Sequence, residues 1–242
     1  AGADTVSLNV AITSATGFLQ MNGGGTLNVN AAVGNMNANA ADYVLGAGTT
    51  VEVNVAQAGM TLEDSALTVN SNAGGTFTLG TAAQTFNGVG NFVDSVTTAA
   101  TAAAQTVNTA AGNDIINVVV GTTGTVAINA GAGDDIVRIA SVNGATYTVA
   151  LGDGADTLRV DNAAIAAADV NTVTVSDFNV GTDVFQSWVA GASIVTGAYV
   201  TANAAVGSKI TGQAAGNVIE ILSSGVDGVQ IAAPTSDASV LA

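Results

Sequence analysis

Three aligned segments between residues 111 and 158 decide the fold. They read Ala-Gly-Asn-Asp-Ile-Ile at 111–116, Ala-Gly-Asp-Asp-Ile-Val at 132–137 and Asp-Gly-Ala-Asp-Thr-Leu at 153–158. The aligned aspartates, Asp114, Asp135 and Asp156, are separated by 21 residues in both intervals. A β-prone run follows each aspartate, and a second β-prone run precedes the next copy. Such a repeat predicts one coil of a stacked β structure with two strands per coil.

The same short β-prone runs recur along the chain. Most alternate an apolar residue with Thr, Asn or Ser, as a strand with one buried face does. The only proline is Pro234, and Gly and Asn occupy the predicted corners. We therefore expect an all-β fold, a right-handed parallel β-helix or β-roll solenoid. The predicted strands cover residues 5–10, 26–30, 50–55, 66–70, 76–79, 115–120, 125–129, 136–140, 146–151, 157–160 and 172–175.

Two Ala-rich stretches, residues 98–104 and 163–169, interrupt the β pattern. Alanine favours helix, but neither stretch shows a clear amphipathic period. A short helix and a loop both remain open for each stretch.

The charge of the chain restricts its partners. Its 242 residues include 18 acidic and 3 basic side chains, for a formal net charge of −15. Nucleic acid and anionic membrane surfaces both require basic residues and are excluded. No apolar stretch is long enough for a membrane-spanning helix, so no membrane insertion is expected. Divalent cations are the favoured partners, since they gather carboxylates that otherwise repel one another.

The chain contains no Cys and no His. Their absence excludes thiol chemistry, the Ser-His-Asp triad and most zinc sites. Paired carboxylates could still act as acid and base, but the acidic pair Glu63-Asp64 has no identifiable partner carboxylate. We predict that the chain is not an enzyme.

The Gly-Asp corners are the candidate functional sites. Glycines let the chain reverse tightly, so that backbone carbonyls and an aspartate carboxylate come together. Ca²⁺ takes six to eight oxygen ligands, which such stacked corners can supply. The alternative is that Asp and Gly only form tight, solvated turns. The candidate ligand residues are Gly112, Asn113, Asp114, Gly131, Gly133, Asp134, Asp135, Gly152, Asp153, Gly154, Asp156, Asp177 and Asp183.

Residues 131–136 and 152–158 resemble the nonapeptide Gly-Gly-x-Gly-x-Asp-x-apolar-x of the RTX (repeats-in-toxin) family. Ala132 and Asp153 stand where that pattern has its second glycine. The resemblance implies Ca²⁺ as cofactor, bound by the corner loops between successive coils of a parallel β-roll.

Asp177-Phe-Asn-Val-Gly-Thr-Asp183 resembles the element that often ends an RTX array, and residues 237–242 are similar to uncleaved type I secretion signals. These resemblances imply a secreted, extracellular protein. They divide the chain into a β-solenoid segment (1–108), an RTX-like repeat segment (109–185) and a C-terminal cap with a secretion-signal-like tail (186–242). Because the chain starts with Ala, we expect it to begin inside a longer precursor.

The Gly/Thr/Asn/Ala/Val-rich remainder resembles RTX-secreted bacterial surface-layer proteins. This resemblance implies a structural protein of the bacterial cell surface that assembles with copies of itself into a Ca²⁺-ordered lattice, with cell-surface polysaccharide as a further partner. Two alternatives stay open. The chain could be an adhesin or extender module of a large RTX protein, or an accessory module of a secreted enzyme whose catalytic part lies elsewhere.

Overall fold

The computed structural model describes the protein at residues 4–10, 19–21, 24–34, 36, 43–119, 121–140, 145–162, 172–177, 182–189, 208–211, 218–221 and 239–241. These residues contain strands and turns but no helix. The chain is all-β, as predicted, and no described helix is long and apolar enough to cross a membrane.

Two long sheets run along the molecule. In spatial order, the first sheet contains β1 (Asp4–Leu8), β3 (Gly25–Val29), β5 (Thr49–Val53), β7 (Leu67–Ser71), β9 (Gln84–Gly88), β11 (Gln105–Asn108), β13 (Thr125–Asn129), β15 (Thr146–Ala150), β17 (Thr172–Val175), β20 (Val218–Ile221) and β19 (Ser208–Thr211). The second contains β21 (Ser239–Leu241), β18 (Val184–Val189), β16 (Thr157–Asn162), β14 (Ile136–Ala140), β12 (Ile115–Val118), β10 (Asp94–Thr97), β8 (Gly75–Thr78) and β6 (Gln57–Thr61). A small third sheet pairs β2 (Leu19–Met21) with β4 (Tyr43–Leu45).

From β6 to β18 the chain alternates between the two long sheets, and each strand pairs in parallel with the next strand of its own sheet. One coil therefore contributes one strand to each sheet, which confirms the parallel β-helix or β-roll solenoid. The aligned repeats fall into register, with Ile115 opposite Ile136 and Ile136 opposite Thr157. The sheets continue without a break across residues 108 and 109.

The core lies between the two sheets and is built from alternate residues of each strand. In the first sheet, one fully buried column runs through Leu27, Val51, Val69, Phe86 and Val107. In the second sheet, Phe77, Val96, Ile116, Val137 and Leu158 form the facing column. Burying each such side chain contributes about 1.5–3 kcal/mol, so every coil adds a similar small increment of stability.

The outward face of the first sheet carries regular polar columns. The amide Nδ2 of Asn108 donates to Oδ1 of Asn87 (2.9 Å), and Asn87 donates to Asn70 in the same way (3.0 Å). A threonine column lies two residues away on the same face. It comprises Thr5, Thr26, Thr50, Thr68, Thr85 and Thr106.

The first Ala-rich stretch, residues 98–104, is an irregular connection between β10 and β11 and not a helix. It has to stack on the coils before and after it, and a stretch this short gains little from helical hydrogen bonds. The second stretch, residues 163–169, lies outside the described residues. So do Phe178, Gly181 and most of residues 186–242.

Candidate metal site in the aspartate corners

One corner of the solenoid contains a continuous column of buried aspartates, each lying just before a strand of the second sheet. The backbone N–H of Asp114 donates to Oδ1 of Asp135 (2.7 Å), and the N–H of Asp135 donates to Oδ1 of Asp156 (2.8 Å). The N–H of Asp156 donates in turn to Oδ1 of Asp183 (3.2 Å). The structure thus brings together four of the predicted aspartates, one from each successive coil.

Asp94 extends this column and was missed by the sequence analysis. The N–H of Asp94 donates to Oδ1 of Asp114 (2.7 Å). The hydroxyl of Ser71 donates to Oδ1 of Asp94 (3.0 Å), so the column ends at Ser71. Asp94 is separated from Asp114 by 20 residues. That spacing is the available signal in the sequence, but Phe92 stands two residues before Asp94, where the other corners have Gly. We call Asp94, Asp114, Asp135, Asp156 and Asp183 the aspartate column.

The second carboxylate oxygens in the column are the unusual feature of the site. Oδ2 of Asp94, Asp114, Asp135 and Asp156 is buried and has no hydrogen-bond partner in the described part of the chain. These side chains are at most 1 % exposed. The Thr109 hydroxyl beside Asp114 leaves Oδ2 unpaired because it donates to the carbonyl of Ala130 (2.8 Å). A buried acceptor without a donor costs about 1–3 kcal/mol, and more when it is charged.

The electrostatics of the column follow from this burial. Burial raises the pKa of Asp135 to about 7, and the neighbouring carboxylates of Asp114 and Asp156 push it further up against the opposing effect of the backbone donor. Burial likewise raises the pKa of Asp94 to about 7 and that of Asp156 to about 6, and it raises the pKa of Asp114. The column therefore holds negative charge poorly unless a proton or a cation accompanies it.

The predicted glycines allow the corners to stack closely. Gly131 and Gly152 have φ of 102° and 97°. A Cβ atom on Gly152 would lie 1.7 Å from the carbonyl oxygen of Gly131, and one on Gly131 would lie 1.8 Å from that of Ala110. Gly112, Gly133 and Gly154 also have positive φ and face the backbone of the preceding coil. The glycines are thus required by the stacking itself, whether or not a metal binds.

Three other predicted residues lie outside the column, on its solvent side. The N–H of Asp134 donates to Oδ1 of Asn113 (3.0 Å), and the N–H of Ala155 donates to Oδ1 of Asp134 (2.9 Å). Asn113, Asp134 and Asp153 are exposed.

Asp177 is also separate from the column. Its Oδ1 and Oδ2 accept from the N–H groups of Leu151 (2.8 Å) and Gly152 (3.0 Å), at the end of a first-sheet strand. Both of its oxygens therefore already hold the backbone of the preceding coil.

The unpartnered oxygens suit a hard divalent cation such as Ca²⁺. Adjacent strands lie about 4.8 Å apart, roughly twice a Ca–O distance of about 2.4 Å. Asp94, Asp114, Asp135 and Asp156 would each offer one carboxylate oxygen. In the part of the chain that the structure describes, no three His, Cys, Asp or Glu side chains come close enough to share one ion. Backbone carbonyls or water would therefore complete the ligand set.

Comparison of the chain with protein-family models, with curated proteins and with solved structures found no significant match. The assignment of function therefore depends on the geometry of the corners and on the sequence resemblances described above.

Proposed function

We propose that this chain is a structural, self-assembling protein of the bacterial cell surface, of the RTX-secreted surface-layer kind, whose coils are ordered by Ca²⁺. The observation that carries the proposal is the row of four buried carboxylate oxygens without a hydrogen-bond donor. A cation beside them would supply the missing partner in coil after coil. Secretion and cell-surface location are part of the same proposal.

Calcium would act through folding. Without it, burying adjacent carboxylates opposes the stacking of the coils from Ser71 to Asp183. With it, the binding free energy becomes folding free energy, because the site exists only when the coils are stacked. A secreted chain would then order where Ca²⁺ is abundant, and it would remain less ordered where Ca²⁺ is scarce.

The acidic pair Glu63-Asp64 supports a structural role more than a catalytic one. The N–H of Leu45 donates to Oε2 of Glu63 (2.5 Å), and the N–H of Thr81 donates to Oδ1 of Asp64 (2.6 Å). These carboxylates hold the backbone of neighbouring coils, as Asp177 does.

The test is a Ca²⁺ titration of EGTA-treated protein, followed by circular dichroism and light scattering together. We expect the β signal and the particle size to rise with Ca²⁺, to reverse with EGTA and not to respond to Mg²⁺, which requires shorter, octahedral coordination. If metal removal leaves both signals unchanged, the aspartate corners are structural turns and the proposal is wrong.

A second candidate function, an adhesin-like module that binds a regular solid surface, is favoured by the threonine column. Its hydroxyls make no hydrogen bond within the described residues, and their spacing is set by the sheet at about 4.8 Å. This function would appear as binding to crystalline polysaccharide or ice by protein that does not self-assemble. Thr68→Val and Thr85→Val together should weaken that binding without changing the circular dichroism spectrum.

A further inference from the structure

Exposed large apolar side chains are concentrated in one turn of the solenoid. Within the described residues, four side chains of this kind are exposed, and three of them, Val89, Phe92 and Val93, lie between β9 and β10. They are 47 %, 43 % and 59 % exposed, whereas the neighbouring rings of Phe77 and Phe86 are fully buried. The turn therefore presents apolar surface that the core does not take up, and such surface marks a site of interaction.

This turn is built differently from the corners that follow it. Phe92 occupies the position at which the next three coils have glycine. Asn87 is opposite Asn108, and Asn91 is opposite Ala111. Three residues of this turn therefore face two of the next coil, which is a local bulge. Bulges of this kind redirect a side chain, and here the bulge precedes the exposed phenylalanine.

The backbone around the turn supports the display of these side chains. A Cβ atom on Gly90 would lie 3.3 Å from Cε2 of Phe92, so the ring packs over the backbone of its own turn. Ala110, in the next coil, is the one described residue other than glycine with a positive φ, 69°. An L residue is strained in this conformation, and the two following coils have Gly131 and Gly152 at the same position. The exposed methyl group of Ala110 is thus kept where glycine would be unstrained.

The surface around the turn carries no charge. In four successive coils this corner is formed by residues 54–57, 72–75, 89–93 and 110–113, and none of these residues is acidic or basic. Adjacent coils are about 4.8 Å apart, so the uncharged stretch is about 14 Å long. We define the apolar corner as Val89, Phe92 and Val93 together with Ala56, Ala73 and Ala110.

The charge of the chain indicates which partner suits this corner. An oppositely charged partner would gain more from the acidic surface elsewhere, where Asp134 and Asp153 are exposed. A second copy has the same net charge of −15, so the two copies repel each other over most of their surfaces. The uncharged corner is where they can approach with the least repulsion.

We propose that the apolar corner of one copy docks against the apolar corner of a second copy. The proposal rests on the self-assembly proposed above and names one contact within it. The same surface is used on both copies, so the contact is isologous and joins copies in pairs. Three large apolar side chains per copy are fewer than a standard interface contains. The contact is therefore weak by itself, and larger assemblies need further contacts.

The first experiment measures association of the full chain in Ca²⁺ by analytical ultracentrifugation, with circular dichroism to verify folding. Phe92→Gly with Val93→Asn gives this turn the residues that the next coil has at the same positions. This variant should raise the concentration at which pairs form about tenfold, the effect of losing about 1.4 kcal/mol. Ala102→Gly with Ala104→Asn is the matched control. It makes the same residues at exposed positions of the opposite corner, between β10 and β11, and it should associate like wild type.

Cross-linking gives a second test, because the chain has no cysteine of its own. Docking of two apolar corners places residue 93 of one copy close to residue 93 of the other. Val93→Cys should therefore form a covalent dimer with a short bifunctional maleimide at a concentration at which Ala102→Cys, exposed at the opposite corner, stays monomeric.

The outcomes separate this inference from the proposed function. If wild type assembles in Ca²⁺ but the Phe92 and Val93 double variant associates at the same concentration as its control, the docking is wrong and self-assembly stands. Cross-linking of Val93→Cys no more readily than Ala102→Cys overturns the docking in the same way. If wild type forms only pairs, and the double variant abolishes them, the docking stands and the larger assembly falls. If wild type stays monomeric in Ca²⁺, both proposals fall.

Discussion

Two kinds of corner with a buried polar side chain occur in this solenoid. They differ in whether every polar atom of that side chain has a hydrogen-bond partner. Gln105 begins β11 and is 1 % exposed. Its Oε1 accepts from the N–H of Ala99 (3.0 Å), and its Nε2 donates to the carbonyl of Gly80 (2.8 Å). Asp135 is equally buried, but only its Oδ1 has a donor, and Oδ2 has none.

The difference comes from the chemistry of the two groups. An amide both donates and accepts, so it can satisfy two backbone groups of opposite kind. An ionised carboxylate only accepts, and a corner with a single available N–H leaves one oxygen unpaired. The stability of the glutamine corners should therefore not depend on pH or on cations, whereas that of the aspartate corners should respond to both.

The largest expected effect tests the packing of the aspartate corners. Gly152→Ala places a methyl group against the carbonyl of Gly131 at a residue whose φ is 97°. Strain and overpacking together should cost about 4 kcal/mol of unfolding free energy, measured by urea denaturation in Ca²⁺. Gly59→Ala, in β6, is the control because nothing lies within 4 Å of its added Cβ. Equal stability of the two variants would contradict the close stacking.

Replacing Gln105 should lower the free energy of unfolding, and the loss should not depend on calcium. Gln105→Leu leaves the N–H of Ala99 and the carbonyl of Gly80 unpaired, which should cost about 3 kcal/mol. The loss should be the same in Ca²⁺ and in EGTA. Asn108→Leu, on the outward face, should stay within about 1 kcal/mol of wild type. A calcium-dependent loss at Gln105 would show that the two kinds of corner are not independent.

The sequence predicts one kind of corner far better than the other. The 21-residue period and the glycines identify Asp114, Asp135 and Asp156. Gln105 carries no such signal, and Asp94 carries only its 20-residue distance from Asp114, because both corners lack the glycine pattern. The unpaired Oδ2 atoms could not be predicted from sequence, since they depend on which coil supplies the N–H that binds Oδ1.

Removing one charge from the column should remove the response to calcium. At a Ca²⁺ concentration 100 times Kd, one site stabilises the folded state by about 2.7 kcal/mol. Asp135→Asn should lose most of this stabilisation, and at pH 8 in EGTA it should unfold at a higher temperature than wild type, because a buried charge is gone. Asp134→Asn, the exposed neighbour, should keep the calcium-induced rise in Tm. A full calcium response in Asp135→Asn would exclude the column as the calcium site.

The pH should also change Tm, through the same buried carboxylates. The pKa of Asp135 is about 7 in the folded protein and close to its usual 3.8 when unfolded. Asp94 and Asp156 are raised in the same direction. The folded state therefore holds more protons between about pH 4 and 7. In EGTA, Tm should be highest near pH 4, fall as the pH rises from about 4 to 7, and then level off.

Saturating Ca²⁺ should reverse that slope, because the cation and the protons compete for the same carboxylates. Asp135→Asn with Asp156→Asn should flatten the slope in EGTA, while Gln105→Leu should keep it at a lower Tm. A wild-type Tm that rises with pH in EGTA would mean that the column is charged at no cost. The Oδ2 atoms of the aspartate corners would then have hydrogen-bond donors, as the amides of the glutamine corners have partners. Those donors would have to come from outside the backbone of the described coils.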